Sequence, residues 1–338
     1  MSMKNTSYSV LELATVGQGF EHKTVFENSV KLAQNAEKLG YNRFWLAEHH
    51  NMVSIASSAT TVLMGHIAGN TNTIKIGSGG IMLPNHSALL IAEQFGTLAH
   101  LYPGRIDMGL GRAPGTDQAT AYAIRPDRVQ AVYKFPEEIE NIQRYFSKDN
   151  QNAKVRATVA EGVEVPIYIL GSSTDSAHLA AKKGLPYVFA SHFAPTQLFE
   201  ALAIYRNEFQ PSAFLDEPYV VAGINVIAAD THEEAETLST SSIRMMIGVM
   251  TGQIDYLQKP IPMNQELRAI SQNPAFERMH KYAFVGDKES IKKRTEDFIE
   301  QTGADELMVA SHIYDPQDRI KSYQLFAEVM QEINAVLA

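Results

Sequence analysis

The chain has 338 residues, 45% of them hydrophobic, which is enough to bury the core of one barrel-sized domain or of two ordinary domains. Its net charge of -9 and its pI near 5.7 argue against a nucleic acid or an anionic membrane surface as the partner. The chain contains no cysteine, which excludes disulfides and cysteine-ligated metals.

The same numbers indicate where the protein is found. A chain without cysteine suits a reducing, cytoplasmic location. Residues 1–7 are polar and contain no basic segment followed by an apolar run, so we expect no signal peptide. No apolar stretch of the sequence approaches the length that spans a membrane. We therefore expect a cytoplasmic protein.

Strand-like and helix-like segments alternate along the chain. In residues 24–39, for example, Val30, Ala33 and Leu39 have helical spacing and Gly40 ends the helix. The predicted strands are residues 8–15, 42–47, 73–83, 106–110, 165–170, 187–190, 219–228 and 306–311. The predicted helices are residues 24–39, 57–69, 88–102, 127–147, 175–183, 196–209, 233–248, 289–302 and 317–336.

Eight strands, each followed by a helix, favour a single (β/α)₈ barrel over a doubly wound sheet. Residues 249–283 break this pattern after the seventh strand and contain Pro260, Pro262 and Pro274. A long segment of this kind in a compact barrel is usually a lid or disordered, and we expect a mobile apolar lid. No linker is visible, so residues 1–338 are predicted to form one α/β domain, a TIM barrel with an insertion after strand 7.

The carboxyl ends of the strands, where active sites of such barrels lie, carry the reactive side chains. The second strand is followed by Glu48, His49 and His50, and histidine is readily poised as an acid or base near neutral pH. Adjacent strand residues point to opposite faces, so one of the two histidines can be a packing residue instead. No metal site is predicted, because adjacent histidines are awkward ligands for one ion and no second cluster supplies more.

Glycines and hydroxyls dominate the ends of the next three strands. Residues 77–80 (Gly-Ser-Gly-Gly) indicate either an ordinary bulge or a close approach of backbone to a ligand. Residues 109–112 (Gly-Leu-Gly-Arg) end in an arginine that can grip a phosphate or form a structural ion pair. Residues 171–176 (Gly-Ser-Ser-Thr-Asp-Ser) start a helix, where hydroxyls cap the helix and free N–H groups can bind an anion.

Together these strand ends would form a phosphate grip, a bare stretch of backbone and an acid–base group. A flat, phosphorylated cofactor needs this combination, since charge anchors one end, the ring lies against glycines and a histidine stands near the reacting edge. The residues alone do not name the cofactor.

At these residues the chain resembles the bacterial luciferase-like flavin monooxygenases. The resemblance covers nearly the whole chain and is densest in residues 44–51 (Phe-Trp-Leu-Ala-Glu-His-His-Asn), 76–86 (Ile-Gly-Ser-Gly-Gly-Ile-Met-Leu-Pro-Asn-His) and 102–115 (Tyr-Pro-Gly-Arg-Ile-Asp-Met-Gly-Leu-Gly-Arg-Ala-Pro-Gly). It implies a (β/α)₈ barrel with an insertion near strand seven, reduced FMN as the bound flavin, and often a dimer.

The resemblance also implies roles for individual residues. His49 would be the catalytic histidine, and a cis peptide bond after the third strand would support the flavin ring. The residues implied to bind the cofactor are Ser78, Gly79, Gly80, Arg112, Arg128, Gly171, Ser172, Ser173 and Ser176. The family often has an acidic residue at the position of Ser172, and the aldehyde pocket of true luciferases cannot be traced, so neither light emission nor the substrate is implied.

Three functions follow as hypotheses. The first is an FMN-dependent monooxygenase acting with O₂ on a small organic substrate, with flavin reduced by a separate reductase that delivers it by diffusion or contact. The second is a deazaflavin (F420)-dependent dehydrogenase on the same barrel, which needs no oxygen. The third is a non-catalytic flavin-binding protein, against which residues 48–50 argue. For the first we expect a homodimer.

Overall fold

Strands and helices alternate along residues 5–337, the part of the chain described by the computed structural model. The strands are β1 (Ser7–Glu12), β2 (Arg43–Leu46), β3 (Lys75–Ser78), β4 (Ile81–Met82), β5 (Ile106–Gly111), β6 (Ile167–Gly171), β7 (Tyr187–Phe189), β8 (Val220–Ala228), β9 (Ala283–Gly286) and β10 (Glu306–Ala310). The helices are α1 (His22–Lys38), α2 (Thr60–Gly69), α3 (Ala88–Leu101), α4 (Gln118–Ile124), α5 (Arg128–Tyr133), α6 (Phe135–Phe146), α7 (Thr174–Lys183), α8 (Leu198–Glu208), α9 (His232–Thr251), α10 (Gln265–Ser271), α11 (Pro274–Met279), α12 (Lys288–Thr302) and α13 (Pro316–Leu337). Two short 3₁₀ turns occupy Leu83–Asn85 and Lys148–Asn152.

The strands form a closed parallel barrel. They pair in the order β10, β1, β2, β3, β5, β6, β7, β8, and the circle closes where β10 pairs with β8. The short β4 continues β3 and pairs with β5. The predicted (β/α)₈ barrel is therefore confirmed, and all strand ends that carry the predicted site face one mouth.

The barrel is held by apolar packing on both faces of its strands. Inside it, Leu11, Trp45, Tyr168, Val221 and Met308 form one buried cluster. Outside it, the apolar faces of the helices cover the strands in a much larger cluster. Within the described part of the chain, none of these helices is both long and apolar enough to cross a membrane.

Helix α1 shows how local sequence sets these elements. Its buried residues Val25, Leu32, Ala33 and Ala36 recur at helical spacing and face the core. The chain then turns at Gly40, whose φ of +82° lies in the left-handed region that favours glycine. The predicted helix over residues 24–39 and its end at Gly40 match this arrangement.

Three of the differences between predicted and observed elements have a clear local cause. The strand over residues 8–15 ends at Glu12, because Ala14 adopts a φ of +49° and its backbone N–H bonds the Glu12 carboxylate. The strand over residues 73–83 is divided into β3 and β4 at Gly79 and Gly80. The helix over residues 127–147 is two helices, since Pro136 in the first turn of α6 lacks the N–H that would continue α5.

The segment over residues 249–283 contains regular structure that the sequence analysis missed. Helix α9 extends to Thr251, α10 and α11 follow, and the segment leads into β9, which pairs with the end of β8 at Asn225–Ala228. The side chains of Asn264 and Asn273 cap the two helices, and Pro274 is the first residue of α11, where its missing N–H costs nothing.

Contacts tie this segment to its neighbours. Ile243, Leu267 and Phe276 form a small buried cluster between α9, α10 and α11. Leu257 is buried, donates its N–H to the Val16 carbonyl at 2.9 Å and accepts from Gln18 at 2.8 Å. The segment thus contains two short helices packed on α9, while its mobility and its closure of the mouth stay predictions.

A buried ion network closes the opposite end of the barrel. Arg43, the first residue of β2, donates from Nη1 to Asp107 at 2.7 Å and from Nε to Glu306 at 2.9 Å. Trp45 Nε1 also donates to Asp107, at 3.2 Å, and Tyr219 donates its hydroxyl to Glu306 at 2.8 Å. These ion pairs thus join β2, β5 and β10 near the amino-terminal ends of the strands.

Candidate active site

Glu48 is the centre of a hydrogen-bond network just beyond the end of β2. Its buried carboxylate accepts from the Met82 backbone N–H at 2.9 Å and from Asn85 Nδ2 at 3.1 Å. The rings of His50 and His86 each place Nε2 2.9 Å from it. Burial alone would raise the pKa of Glu48, but these bonds outweigh it and lower the pKa to about 2. The carboxylate therefore anchors the histidines to β4 and the turn that follows.

His49 and His50 have different surroundings. Both follow the end of β2, where their backbone N–H groups donate to the carbonyls of Ser57 and Gly115, each at 3.0 Å. The ring of His50 is bound to Glu48, as a supporting residue would be. Burial lowers the pKa of His49, opposed in part by a hydrogen bond with the Gly115 backbone and by the charge of Glu48. At neutral pH the His49 imidazole is therefore mainly neutral and able to accept a proton.

The pKa of Glu48 predicts a pH-dependent stability. Because its pKa falls from an ordinary value near 4.5 to about 2 on folding, the ionised carboxylate stabilises the fold above pH 4.5. This contribution is lost as the pH falls from about 4.5 to 2. We expect Glu48→Gln to lower Tm at pH 6, because the amide NH₂ faces donors that a carboxylate oxygen accepts in wild type, and the Tm difference from wild type to shrink towards pH 3. A difference that is constant across this range would contradict the assignment.

Two further histidines lie at the mouth, and the sequence analysis did not select them. Burial, with a smaller effect from His49, lowers the pKa of His192 to about 4, and its buried Nδ1 has no partner within residues 5–337. Burial likewise lowers the pKa of His312 to about 3, with Arg319, His192 and His280 contributing. Each lies one or two residues after a predicted strand, as His49 does, so the same rule would have found them.

The predicted glycine patch is formed by the ends of β3 and β5. The peptide bond between Gly79 and Gly80 is cis, where the resemblance placed it. The Ser78 hydroxyl is buried, donates to the Gly109 carbonyl at 2.8 Å and accepts from the Gly109 N–H at 3.0 Å. A Cβ on Gly109 would come within 2.1 Å of the Ser78 carbonyl oxygen, so this close approach requires glycine. Because the Ser78 hydroxyl is bound to Gly109 and the other residues are glycines, the patch offers a ligand only its backbone atoms.

The two predicted arginines meet at one side of the mouth. Arg112, 45% exposed, places Nη2 3.1 Å from the carboxylate of Asp175 in the first turn of α7. Arg128 donates to the Arg112 carbonyl at 3.4 Å and to Asn85 Oδ1 at 3.3 Å. Asn85 also donates to Glu48, so the arginines and the histidine network share one framework.

The start of α7 supplies further donors beside Arg112. Ser173 is the N-cap residue, yet its side chain makes no capping bond, so the first N–H groups of the helix are uncapped by it. Ser176 donates its hydroxyl to the Ser173 carbonyl at 2.7 Å and lies 3.0 Å from the Tyr187 hydroxyl. A Cβ on Gly171 would come within 1.8 Å of the Ser176 hydroxyl, so glycine is needed there. The Ser176 side chain is thus engaged inside the turn, while Ser172 is only partly buried.

The donor set fits a phosphate monoester. A guanidinium whose present partner is a solvent-exposed carboxylate, a second arginine behind it and an uncapped helix start converge on one side of the mouth. The glycine patch lies at the ends of β3 and β5. His49 and His50 follow β2, which is the neighbour of β3 in the barrel. A cofactor with a phosphate at one end and a flat ring at the other matches this order of groups.

Comparison with known proteins identifies the family. A family model of luciferase-like monooxygenases matches residues 7–306, and the chain belongs to this family. The chain is 45% identical over 333 residues to a luciferase-like monooxygenase of Escherichia coli K12, covering 98% of this chain and 99% of the relative. It is 37% identical over 247 residues to the N-acetyl-S-alkylcysteine monooxygenase of Bacillus subtilis, covering 71% and 73%. The prediction of an oxygen-incorporating oxidoreductase is confirmed by this membership.

Solved structures share the fold over the full length. Apo-MsnO8 aligns with a TM-score of 0.88 at 32% identity, covering 96% of this chain and 98% of the other. The oxygenating constituent of 3,6-diketocamphane monooxygenase from Pseudomonas putida, in complex with FMN, aligns with a TM-score of 0.72 at 17% identity, covering 96% and 97%. An F420-dependent secondary alcohol dehydrogenase aligns at 0.69 and 16%, covering 97% and 99%. The last two show the fold alone.

Proposed function

We propose that the protein is an FMN-dependent monooxygenase that uses reduced FMN and O₂ on a small organic substrate. The observation that carries the proposal is the convergence of Arg112, Arg128 and the start of α7 at the mouth that also contains His49. Reduced FMN, when bound, supplies the electrons that activate oxygen. The protein binds and orients the cofactor and moves a proton at the reacting edge.

Each group of residues would have one task. Arg112 and Arg128 would hold the phosphate together with the first N–H groups of α7 and the residues of its turn, Gly171, Ser172, Ser173 and Ser176. The backbone of Ser78, Gly79 and Gly80 would support the ring. A ring nitrogen of His49 would accept or donate the proton, since its neutral imidazole is not engaged with Glu48.

The family favours oxygen chemistry over hydride transfer. Both an FMN complex and an F420-dependent dehydrogenase share this fold, so fold alone supports either cofactor. The relatives at 45% and 37% identity are named as monooxygenases, which supports the first. Titrating the protein under anaerobic conditions with reduced FMN and with reduced F420, followed by addition of O₂, separates the two. Tight binding of F420 alone would favour the dehydrogenase.

Arg112→Ala tests the phosphate site. Loss of a charge-assisted hydrogen bond costs roughly 1.5–3 kcal/mol, so FMN should bind about tenfold to a hundredfold more weakly. Riboflavin, which lacks the phosphate, should be nearly insensitive. Equilibrium dialysis or flavin fluorescence measures both affinities.

Asp175→Asn is the matched control for this test. It removes the carboxylate that now pairs with Arg112 and lies beside the proposed phosphate. FMN should therefore bind more tightly to this variant, and riboflavin should again be unchanged. The phosphate assignment would be refuted if Arg112→Ala lost affinity for FMN and riboflavin equally. Weaker FMN binding by Asp175→Asn would also refute it.

The homodimer and the separate flavin reductase stay predictions. Apolar side chains on the neighbouring helices α2 and α3 support the dimer: Val62 is 70% exposed, Leu90 54% and Leu101 63%. Exposed apolar side chains on two adjacent helices are suited to contact with the same surface of a second copy.

A further inference from the structure

A separate cavity of about 340 Å³ lies beside the carboxyl end of β8. It is lined by residues of β8, β9, the helices α9 to α12 and His312, so the segment after α9 forms much of its wall. Its apolar surface comes from Ile227, Ile243, Phe276 and Phe284. The volume is at the lower end of the range of about 300–1,000 Å³ that small-molecule sites occupy.

The charged groups that line this cavity are mostly cationic. Arg294 and Lys281 contribute positive charges and Glu277 the one lining carboxylate. Arg294 is half-buried, lies 4.6 Å from the centre of the Phe284 ring and donates to the Lys281 carbonyl at 3.3 Å. In residues 5–337 no carboxylate lies within ion-pair distance of it. The buried Arg43, by contrast, binds two carboxylates.

An unpaired guanidinium next to apolar surface is a costly arrangement unless an anion binds there. Burial lowers the pKa of Arg294, as expected for a cation that lacks a counter-charge. One further lining group, Asn225 Oδ1, is buried and lacks a partner within the described chain. The cavity therefore combines a cation without a counter-charge with an apolar wall.

One end of the cavity adjoins the active-site histidines. Asn225 lines the cavity and donates from Nδ2 to the His192 carbonyl at 2.6 Å. Besides burial, the charge of His49 lowers the pKa of His192, and the charge of His192 is among those that lower the pKa of His312, which also lines the cavity. A molecule in the cavity would thus extend from Arg294 towards the mouth that contains His49.

We propose that this cavity is the substrate site and that the substrate is a small carboxylate with an apolar body. Arg294 holds the carboxylate, Phe276 and Phe284 contact the apolar part, and the reacting end points past Asn225 and His312. This assignment rests on the proposed function, since it names the substrate class of that enzyme.

Two matched probes test whether the cavity binds a carboxylate, and the test needs neither flavin nor turnover. Hexanoate and 1-hexanol have the same carbon chain and differ in the charged group. Titration of the wild-type protein, followed by calorimetry or by saturation-transfer NMR, should show hexanoate binding about tenfold or more tightly than 1-hexanol. Equal affinities, or no binding of either probe, would overturn the proposal, and this comparison needs no variant.

Substitutions test whether Arg294 causes the preference for hexanoate over 1-hexanol. Arg294→Met should abolish it and leave 1-hexanol binding unchanged, whereas Arg294→Lys should keep most of it. Lys281→Met, at an exposed lining cation, is the control and should change the preference less than about threefold. Ser242→Trp, which would fill the cavity, should remove binding of both probes. A preference that survives in Arg294→Met would refute the role of this residue.

The outcome is independent of the flavin assignment. FMN affinity of Arg294→Met should equal that of wild type, because Arg294 lies on α12 and the proposed phosphate site on α7. If FMN fails to bind to wild type while the hexanoate preference is present, the proposed function fails and the anion site stands. If FMN binds to wild type and the preference for hexanoate is absent, the substrate proposal fails and the proposed function stands.

Discussion

Replacing His49 by alanine is expected to lower the rate of substrate oxidation by roughly a hundredfold or more, the usual scale for a general acid–base group. FMN affinity and Tm should stay close to wild type. The reason is that the ring of His49 is outside the Glu48 network, whose donors are Met82, Asn85, His50 and His86. Removing it therefore leaves the framework of the mouth intact.

His50→Ala is the matched control. It removes a donor to a buried carboxylate, so we expect a lower Tm and a smaller loss of activity than in His49→Ala. Steady-state kinetics with a purified reductase and thermal unfolding of each variant separate the two effects. An inactive His50→Ala beside an active His49→Ala would reverse the assignment.

The pH dependence of the activity gives a further test, because a purely structural role of His49 would not change it. Burial lowers the pKa of His49, so its neutral form is present across the neutral range and is lost only at more acidic pH. If this group is the base, the acidic limb of kcat/KM in wild type should lie below the ordinary histidine range near pH 6.5. That limb should be absent from the residual activity of His49→Ala.

The architecture could be predicted because local and global signals agree. Barrel strands are buried on both faces and give short apolar runs, while the covering helices repeat their apolar residues at helical spacing, as in α1. The strand that was missed, β9, does not belong to the barrel circle. It is a four-residue segment whose pairing with Asn225–Ala228 is a tertiary contact, and residue pattern alone does not encode such a partner.

The two short helices within residues 249–283 could not be predicted for a related reason. The three prolines of this segment favour irregular structure, although Pro274 starts α11 and the capping residues Asn264 and Asn273 are visible in the sequence. Short helices of this kind depend on packing, here around Phe276 and Leu267, which periodicity over six or seven residues does not reveal.

The positions of the candidate site's residues were predictable where they follow strand ends. The end of β2, the glycine patch and the start of α7 were all found by this rule, and it would also have found His192 and His312. The contacts of Glu48 were not predictable, because its four donors come from residues distant in sequence or from a ring two residues away. The engagement of the Ser78 and Ser176 hydroxyls inside the protein likewise depends on neighbouring strands and turns.

Replacing Arg43 by alanine is expected to destabilise the fold by about 3–5 kcal/mol, the scale for breaking a buried ion pair by removing one partner. The variant leaves two carboxylates, Asp107 and Glu306, buried without their cation. The indole N–H of Trp45 and the hydroxyl of Tyr219 can satisfy only part of that charge. Urea unfolding monitored by fluorescence and circular dichroism measures the change.

Two further variants separate charge from volume at this position. Arg43→Met keeps most of the side-chain volume and removes the charge, so a loss of stability close to that of Arg43→Ala would assign the effect to the stranded carboxylates. Arg43→Met combined with Asp107→Asn and Glu306→Gln removes all three charges and should recover much of the stability, because the cost of breaking such a network exceeds its net contribution. FMN affinity should be near wild type wherever the fold persists, since Arg43 lies at the end of the barrel opposite His49. A single Arg43→Ala variant within about 1 kcal/mol of wild type would mean that water or rearranged donors stabilise the carboxylates.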